Sequence, residues 1–490
     1  MIRDFSLVGI DLGTSGIRVD VYDEKGSLLG AGEVHFEEQS PKVWLDSLLR
    51  CFPRDFTRSR EVALSVDSTS GSFLLVDEKG NEISRPIMYY EAAVNEFDEI
   101  RRAESVKVME SKGFKLSPTS PLPKILKFKR ENPELFKRVR WILPPATWLL
   151  YKIRFEEGKR WEELSVDFSN ALKFGVDISS GEPRWFKEIF EEIGLDQDLF
   201  PRVASCGEFA GEAESEVAGR LGVKGAELYH GMTDGTAAAL ASGTLEEGDF
   251  SIYSGSTTVP KYASTKVKPH PSIYYHKHPL KGYLAGAASS ATGSMLRWLA
   301  EKVLGVPMEE AFSQASRPDA EGGFLFFPPG DRSPFDDPLM GAALVNLRPQ
   351  AGDRRETIGK VFRSAILGVS LLEYCFVELF EDLFGRGIEE VRLSGGGTRN
   401  SFWNLLRASV YEREVKIYGE RVTLGVLIPV VLRLGLCEDV KEIDNRFLKI
   451  EEIVKPRRDL TEKYKRIRDD FMRKWRKLQE FYHEGMKALV

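Results

Sequence analysis

A short run of small and polar residues near the start of the chain has the composition of a phosphate-binding turn. Apolar residues stand on both sides of Asp11-Leu12-Gly13-Thr14-Ser15-Gly16, which predicts a strand, a tight glycine turn and a second strand. Glycine lets the backbone approach an anion closely, and the N–H groups and hydroxyls of Thr14 and Ser15 can donate to phosphate oxygens. Asp11 is suited to hold Mg²⁺ on such phosphates. An ordinary hairpin is the alternative.

A second turn of the same kind lies in the other half of the chain. Gly255-Ser256-Thr257-Thr258 follows the apolar stretch 250–254 and precedes another at 259–262. The repeat of strand, turn and strand predicts a duplicated fold whose two halves hold one nucleotide between them. We place the two domains at residues 1–243 and 244–490.

A single acid stands among small residues just before the second half. Asp234 lies in Gly-Met-Thr-Asp-Gly-Thr, ahead of an alanine-rich helical stretch. A carboxylate at this position can accept the proton of a hydroxyl that attacks a γ-phosphorus. It can equally serve as the N-cap of the helix, and both roles are compatible.

A run of three glycines follows a predicted strand near residue 393. Gly395-Gly396-Gly397, with Asn400 shortly after, precedes a helical pattern and would let an adenine lie flat on the backbone. A plain entry loop for the helix is the alternative. The spacing does not fit a dinucleotide fingerprint, because a third glycine and a following ribose-binding acid are missing.

The composition of the chain indicates which kinds of protein it can be. With 490 residues, 42% hydrophobic content and a formal net charge of −6, it is predicted to have more than one core and to bind neither nucleic acid nor a membrane surface. Its four cysteines lack CxxC spacing, so we expect reduced thiols and a cytoplasmic protein. His270, His276 and His278 do not match a zinc spacing and are predicted to be solvated loop residues.

Taken in order, these motifs resemble those of the FGGY family of carbohydrate kinases, in the actin, hexokinase and chaperone ATPase superfamily. The first phosphate motif of that family is similar to Asp11–Ser15, its catalytic aspartate to Asp234, and its second phosphate motif to Gly255–Thr258. Its adenosine loop resembles Gly395–Gly397 with Asn400. Several of these motifs are short, and their joint order carries the resemblance.

The resemblance implies an α/β fold of two ribonuclease-H-like lobes with a cleft between them. It implies ATP and Mg²⁺ in the cleft, with Asp11 as the metal ligand and Asp234 as the catalytic residue. The residues expected to bind the nucleotide are Gly13, Thr14, Ser15, Arg18, Gly255, Ser256, Thr257, Thr258, Gly395, Gly396, Gly397 and Asn400.

The region that would bind the sugar departs from the family pattern. Where the family often has an aromatic residue, an Asp and an Arg, this chain has Tyr89, Glu91 and Ala93, so the arginine is missing. With Ser70, whose surroundings resemble the ribulokinase branch, Tyr89 and Glu91 are expected to bind a ketopentose such as ribulose or xylulose. Rhamnulose, glycerol and gluconate stay open as acceptors.

Two further family motifs have weaker counterparts. The Gly-Glu-Arg-x-Pro turn is similar to Gly330–Pro334, where Asp replaces Glu and Arg332 is kept, and the signature lysine is similar to Lys124. A non-catalytic sugar sensor on the same fold is the main rival to an enzyme, and the missing arginine motivates it. A small-molecule sugar is the expected partner, and a homodimer is left open.

Overall fold

The structure, a computed structural model, describes residues 5–57, 60–179, 181–347 and 353–485. Its strands in chain order are β1 (Phe5–Leu12), β2 (Gly16–Asp23), β3 (Leu28–His35), β4 (Glu61–Ser68), β5 (Leu74–Val76), β6 (Trp141–Leu143), β7 (Ser165–Asp167), β8 (Val176–Asp177), β9 (Arg184–Trp185), β10 (Arg202–Ala204), β11 (Phe209–Glu212), β12 (Glu227–Thr233), β13 (Phe250–Ser254), β14 (Thr258–Ser264), β15 (Tyr274–Lys277), β16 (Tyr283–Gly286), β17 (Leu325–Phe327), β18 (Ala343–Val345), β19 (Glu390–Ser394), β20 (Glu414–Tyr418) and β21 (Ile450–Val454).

The α-helices in chain order are α1 (Pro41–Cys51), α2 (Val94–Ile100), α3 (Glu104–Ser111), α4 (Pro121–Glu131), α5 (Pro133–Phe136), α6 (Pro145–Arg154), α7 (Phe168–Ala171), α8 (Lys187–Glu192), α9 (Glu216–Leu221), α10 (Asp234–Ala241), α11 (Gly293–Trp298), α12 (Met308–Ala315), α13 (Arg354–Phe384), α14 (Ser401–Tyr411), α15 (Val422–Gly425), α16 (Ile428–Arg433), α17 (Val440–Arg446), α18 (Arg458–Asp469) and α19 (Phe471–Gly485). Short 3₁₀ turns occur at Arg54–Phe56, Leu172–Phe174, Gln197–Leu199 and Gly396–Arg399, and a π-helix at Leu299–Leu304.

The first large sheet has the strand order β11-β12-β4-β1-β2-β3. Strand β1 lies at its centre, pairs antiparallel with β2 and parallel with β4, and is apolar along most of its length, as expected for a strand covered on both faces. The register places Asp11 opposite Arg18 on β2 and opposite Asp67 on β4. The polar end of β1 is therefore bordered by one cation and one acid.

The second large sheet repeats the core of the first. Its order is β15-β16-β14-β13-β19-β20-β21, and its central strand β13 pairs antiparallel with β14 and parallel with β19. The turn after β13 thus occupies the place that the turn after β1 has in the first sheet. This duplicated α/β architecture is the one that the sequence predicts, although the boundary between residues 243 and 244 stays a prediction.

The two lobes approach each other closely at the N-terminal sheet. Helix α15 crosses β1 so tightly that a Cβ atom at Gly9 would lie 2.0 Å from the carbonyl oxygen of Thr423. The side chain of Thr423 donates a hydrogen bond to Asp20 and shares another with the hydroxyl of Tyr22. A second glycine, Gly425, lies against the backbone of α10 in the same way. Small residues therefore set the distance between the lobes.

Helix α19 packs against the loop that follows β17. The ring of Trp475 on α19 stacks on Phe335 with centroids 3.5 Å apart, and its indole N–H donates to the carbonyl oxygen of Pro328. Asp337 accepts hydrogen bonds from Gln479 and interacts with His483 of the same helix. The Gly330–Pro334 turn is thus held from the C-terminal end of the described chain.

The prediction of solvated loop histidines is wrong for part of the cluster. His278 is 2% exposed, and its ring nitrogen is 3.0 Å from the carbonyl oxygen of Thr244. His276 lies on β15, half-buried, with a ring nitrogen 3.4 Å from the hydroxyl of Thr236. Both side chains satisfy neighbouring polar groups, a role that spacing alone does not reveal.

None of the helices in the described ranges has both the length and the apolar character needed to cross a membrane.

Replacing Gly9 with Ala tests the contact between the lobes. Because the new methyl group would overlap the Thr423 carbonyl, we expect Gly9→Ala to cost about 1–3 kcal/mol of stability, as overpacking usually does. Denaturant unfolding followed by tryptophan fluorescence measures the loss. Gly341→Ala is the control, because nothing lies within 4 Å of a Cβ at that position. Equal stability of the two variants would contradict the close approach.

Candidate active site

A cavity of about 450 Å³ lies between the two lobes and collects several of the predicted site residues. It is lined by the end of β1, the start of α10 and the facing strands β13 and β14. The lining residues are Asp11, Gly13, Arg18, Asp234, Gly235, Ala238, Ala239, Ser242, Ser251, Tyr253, Thr257, Val259, Lys261, Glu420 and Val422. The first turn, the second turn and Asp234 therefore meet at one cleft, and we call this space the cleft cavity.

The first predicted phosphate turn is a tight hairpin that faces the cleft cavity. The N–H group of Gly13 donates to the carbonyl oxygen of Gly16 at 2.9 Å, which closes the turn. Thr14 and Ser15 are exposed, so a ligand can reach their hydroxyls from solvent. Arg18 donates to Glu33 at 3.0 Å, and its other terminal nitrogen lies 4.0 Å from Asp11. Arg18 thereby places a cation beside the carboxylate at the strand end.

Asp11 has a second acid beneath it that sequence reasoning did not identify. The side chain of Asp67, at the same register on β4, is fully buried, and neither carboxylate oxygen finds a donor within the described residues. Burial and the charges of Asp11 and Asp234 raise the pKa of Asp67 well above its usual value. Burial also raises the pKa of Asp11, against the opposing influence of Asp67 and Arg18. The protonated form of Asp67 is therefore favoured relative to that of an exposed aspartate.

Asp234 is the first residue of α10, and Thr233 occupies the cap position. The expectation that Asp234 is the N-cap is wrong, because its carboxylate accepts a hydrogen bond from its neighbour Gly235 at 2.6 Å while its side chain lines the cleft cavity. Burial, followed by the negative charge of Asp11, raises its pKa to about 6. The alanine-rich face of α10 brings this carboxylate close to the opposite lobe.

The second predicted turn divides its residues between two cavities. Thr257 lines the cleft cavity, whereas Gly255 and Ser256 line a neighbouring cavity of about 510 Å³. Thr258 was expected to bind the nucleotide, but its side chain is fully buried and its hydroxyl is paired with that of Thr292. The residue supports the turn from behind because the strand has already begun there.

Two residues of the glycine run line the same neighbouring cavity. Gly396 and Gly397 line that cavity, together with the exposed ring of Trp298. Asn400, which was also expected to bind the nucleotide, is instead the N-cap of α14: its side-chain oxygen accepts a hydrogen bond from the N–H group of Trp403 at 2.9 Å. The entry loop of α14 and part of the cavity wall are thus the same segment, and adenosine binding by these glycines stays a prediction.

A buried ion pair ties the glycine run to the second phosphate strand. Arg407 on α14 and Glu373 on α13 are both inaccessible to solvent, and two of their nitrogen–oxygen pairs lie 2.7 and 2.8 Å apart. Arg407 also donates to the carbonyl oxygen of Gly397 and to the hydroxyl of Ser254, the last residue of β13. The pair was missed because single charged residues in helical patterns read as surface positions.

The residues expected to hold the sugar lie beside the cleft cavity rather than in its wall. The Tyr89 hydroxyl is 3.4 Å from the hydroxyl of Thr14, which joins the predicted sugar loop to the first phosphate turn. The carbonyl oxygen of Ser70 accepts a hydrogen bond from Lys173. Glu91 was expected to accept from sugar hydroxyls, but both of its oxygens are bound by Arg85 at 2.7 Å. Glu91 therefore shapes the loop that carries Tyr89.

Lys124 connects the two loops that carry Ser70 and Tyr89. It is 3% exposed, and its ammonium group donates to the carbonyl oxygens of Gly71 and Met88 at 3.1 and 2.8 Å. Burial lowers its pKa to about 8. The lysine thus fixes the loops that present Ser70 and Tyr89.

Two lysines near Asp234 were missed entirely. Lys173, from the N-terminal lobe, and Lys261, from the C-terminal lobe, both carry charge that acts on the Asp234 carboxylate. Neither stands in a motif, and Lys261 occupies a strand where alternation predicts an ordinary outward-facing cation. The sequence feature that could have identified Lys261 is its position three residues after the second phosphate turn.

Comparison with known proteins agrees with this geometry. The N-terminal domain of the FGGY family of carbohydrate kinases matches residues 6–241, and the C-terminal domain of the same family matches residues 249–429. The chain belongs to the FGGY family of carbohydrate kinases. It is therefore a phosphotransferase that uses ATP and acts on an alcohol group of a small carbohydrate, as the resemblance implied.

Similar proteins of known activity span nearly the whole chain. A xylulose kinase of Staphylococcus epidermidis is 21% identical over an alignment that covers 95% of both proteins. A xylulose kinase of Bacillus subtilis is 22% identical, with 94% of this chain and 95% of the relative covered.

Solved structures share the fold. Ligand-bound xylulose kinase and gluconate kinase, both from Lactobacillus acidophilus, each give a TM-score of 0.83 at 16% identity and cover 99% of this chain and all of theirs. Plasmodium falciparum glycerol kinase with ADP gives 0.82 at 15% identity, covering 98% of each chain. The two-lobed FGGY fold is thereby established for this chain.

The Arg407–Glu373 pair offers a stability test of the site's framework. Arg407→Met leaves a buried carboxylate unpaired, so we expect a loss of about 3–5 kcal/mol in unfolding free energy. Denaturant unfolding measures it, and the double variant Arg407→Met, Glu373→Met should recover much of the loss. Arg457→Met removes a half-exposed ion pair and should cost less than about 1 kcal/mol. A loss at Arg407 no larger than this control would contradict the assigned role.

Proposed function

We propose that the chain transfers the γ-phosphoryl group of ATP to a hydroxyl of a small open-chain sugar, with a ketopentose as the first candidate. The observation that carries the proposal is the cleft cavity, where Asp11, Asp234 and both phosphate turns face one space. The ketopentose rests on the relatives named xylulose kinase. Four free cysteines and the use of ATP support our placing the reaction in the cytoplasm.

The nucleotide is proposed to lie across the two cavities. Its phosphates would meet the backbone and hydroxyls of Gly13, Thr14 and Thr257 in the cleft cavity. Its adenosine would reach the neighbouring cavity beside Gly396. Gly255 and Ser256 line the neighbouring cavity and the next residue, Thr257, lines the cleft cavity, so one extended ligand would contact both along this turn. This arrangement leaves Asp234 at the phosphate end, where the acceptor hydroxyl must arrive.

The side chains fit Mg²⁺ held chiefly by the nucleotide. Within the described ranges, no cluster of three or more His, Cys, Asp or Glu side chains is placed to bind a metal unaided. Asp11 nevertheless supplies one hard carboxylate at the phosphate turn, and one or two carboxylates plus phosphate oxygens are the usual Mg²⁺ ligands in such sites. When bound, the ion would neutralise charge on the phosphates.

The chemical step follows from this placement. The acceptor oxygen forms a bond to the γ-phosphorus while the bond to the bridging oxygen breaks, and that electron pair leaves with ADP. Asp234 accepts the hydroxyl proton. Arg18, whose guanidinium lies 4.0 Å from the Asp11 carboxylate, keeps a cation beside the phosphate end of β1. Catalysis is then mainly positioning and charge stabilisation.

A turnover screen tests the proposal. Coupled measurement of ADP release is run over ketopentoses, ketohexoses, polyols including glycerol, and gluconate. We expect acceptor-dependent ADP release with at least one of them, and ketopentoses to give the highest kcat/KM. Binding of a sugar without ADP release would favour the sensor alternative and contradict the enzyme.

Replacing Asp234 tests the general base. Asp234→Asn keeps the shape of the side chain but cannot accept a proton, so we expect kcat to fall by about 10²–10⁴-fold, the usual contribution of a general base. Nucleotide affinity, measured by calorimetry with ADP, should stay within a few-fold of the original. Asp459→Asn, in the exposed first turn of α18, is the matched control and should keep full turnover. Near-normal turnover of Asp234→Asn would overturn the role.

The pH dependence of kcat/KM gives an independent check. Asp234 must be unprotonated to accept a proton, and its pKa is raised to about 6 by burial and by Asp11, against the influence of Lys173 and Lys261. Activity is therefore present above this pKa and falls as pH drops through about 6. A profile that stays flat from pH 7 down to pH 5 would contradict the assignment.

A further inference from the structure

A buried cation stands next to the reacting centre without an acid of its own. Lys261 on β14 is 4% exposed and lines the cleft cavity with Asp234 and Thr257. Within the described residues no carboxylate forms an ion pair with it, and Asp234 is the one acid whose charge influences it. Burying an unpaired ammonium group costs several kcal/mol, according to measurements on other proteins. An anionic ligand bound here would offset that cost.

The surroundings of Lys261 are built to hold the ammonium group in place. The neighbouring strand carries Gly286 directly opposite, where a Cβ atom would come within 2.9 Å of the lysine nitrogen. Beyond it, Tyr274 on β15 presents its ring face, with the nitrogen 4.5 Å from the ring centroid. The face of Tyr274 and the space left by the missing side chain of Gly286 therefore hold the ammonium group, and among the described residues no carboxylate forms an ion pair with it.

A second ammonium group approaches the same acid from the opposite lobe. Lys173 donates to the carbonyl oxygen of Ser70, and the charges acting on it are those of Asp234, Lys261 and Arg332. Two lysines that repel each other thus border one carboxylate. An anion that arrives between them would relieve the repulsion, and the nucleotide's terminal phosphate is the anion that the reaction brings to this acid.

We propose that Lys261 is a catalytic residue that binds the phosphoryl group during its transfer, with Lys173 contributing from the other lobe. The proposal rests on the function proposed above. As the bond from the acceptor oxygen to phosphorus forms and the bridging bond to ADP breaks, the ammonium group neutralises the equatorial oxygens. The hydroxyl proton goes to Asp234, and Lys261 acts in its ammonium form. Burial lowers the pKa of Lys261 to about 7, and the negative charge of Asp234 opposes that shift. A phosphate bound beside the lysine stabilises the same charged form. Fixed charge at such a place stabilises the transition state.

Kinetics of Lys261→Met measure the contribution. On the acceptor with the highest turnover, we expect kcat to fall about 10²-fold, as when one fixed donor to a developing charge is removed, while both KM values stay within about threefold. Lys261→Arg should keep more turnover than Lys261→Met. Lys281→Met, an exposed lysine of the same region, is the control. Unchanged kcat would overturn the proposal, as would an increase confined to the acceptor KM, because the lysine would then bind the sugar.

Binding and stability separate this proposal from the proposed function. Calorimetry with MgADP and aluminium fluoride, which imitates a phosphoryl group in transfer, should show about 30-fold or greater weakening in Lys261→Met, with MgADP alone bound equally well. This readout needs no acceptor, so failure of every acceptor in the turnover screen leaves it intact. Because the variant removes an unpaired buried charge, its midpoint of thermal unfolding should not fall. Equal affinity of both proteins for the complex, or a lower midpoint, would contradict a phosphoryl-binding lysine.

Discussion

Close approach of the two lobes is the constraint on which the rest of the site depends. Helix α15 lies against β1 only because position 9 has no side chain, and α10 lies against the same helix at Gly425. These contacts bring the ends of β1 and β13, each followed by a tight turn, to one cleft. A fold made from two copies of the same sheet core places one phosphate turn in each lobe, so neither lobe has a complete site alone.

Charged side chains of both signs lie together where the lobes meet. Asp11, Asp67 and Asp234 form an acidic group whose burial raises all three pKa values. Arg18 and the two lysines near Asp234 oppose that negative charge. Such mutual compensation is typical of sites whose acid–base groups are displaced from their ordinary pKa values. The same field that holds Asp234 ready as a base gives the incoming phosphates a cationic border.

Sequence patterns predicted those parts of the site that lie in local motifs. The strand, turn and strand around Asp11 and its repeat around Gly255 were identified because glycine and hydroxyl residues interrupt apolar runs. Asn400 and Thr258 lie in the predicted motifs, but the side chain of Asn400 caps α14 and the side chain of Thr258 is buried. Asp67, Lys261 and Arg407 could not be found in this way, because strand register and packing between distant segments bring them to the site. The acceptor is the feature that the sequence determines least, since Glu91 and Ala93 depart from the family pattern and Glu91 is bound by Arg85.

A crystal structure of the protein with Mg²⁺ and a non-hydrolysable ATP analogue tests the central claim most directly. The account predicts the terminal phosphate between the Gly13 turn and Thr257, with the metal ion beside Asp11 and the Asp234 carboxylate facing the γ-phosphorus. A nucleotide bound away from the cleft between the lobes, or an Asp234 side chain directed away from the phosphates, would contradict it.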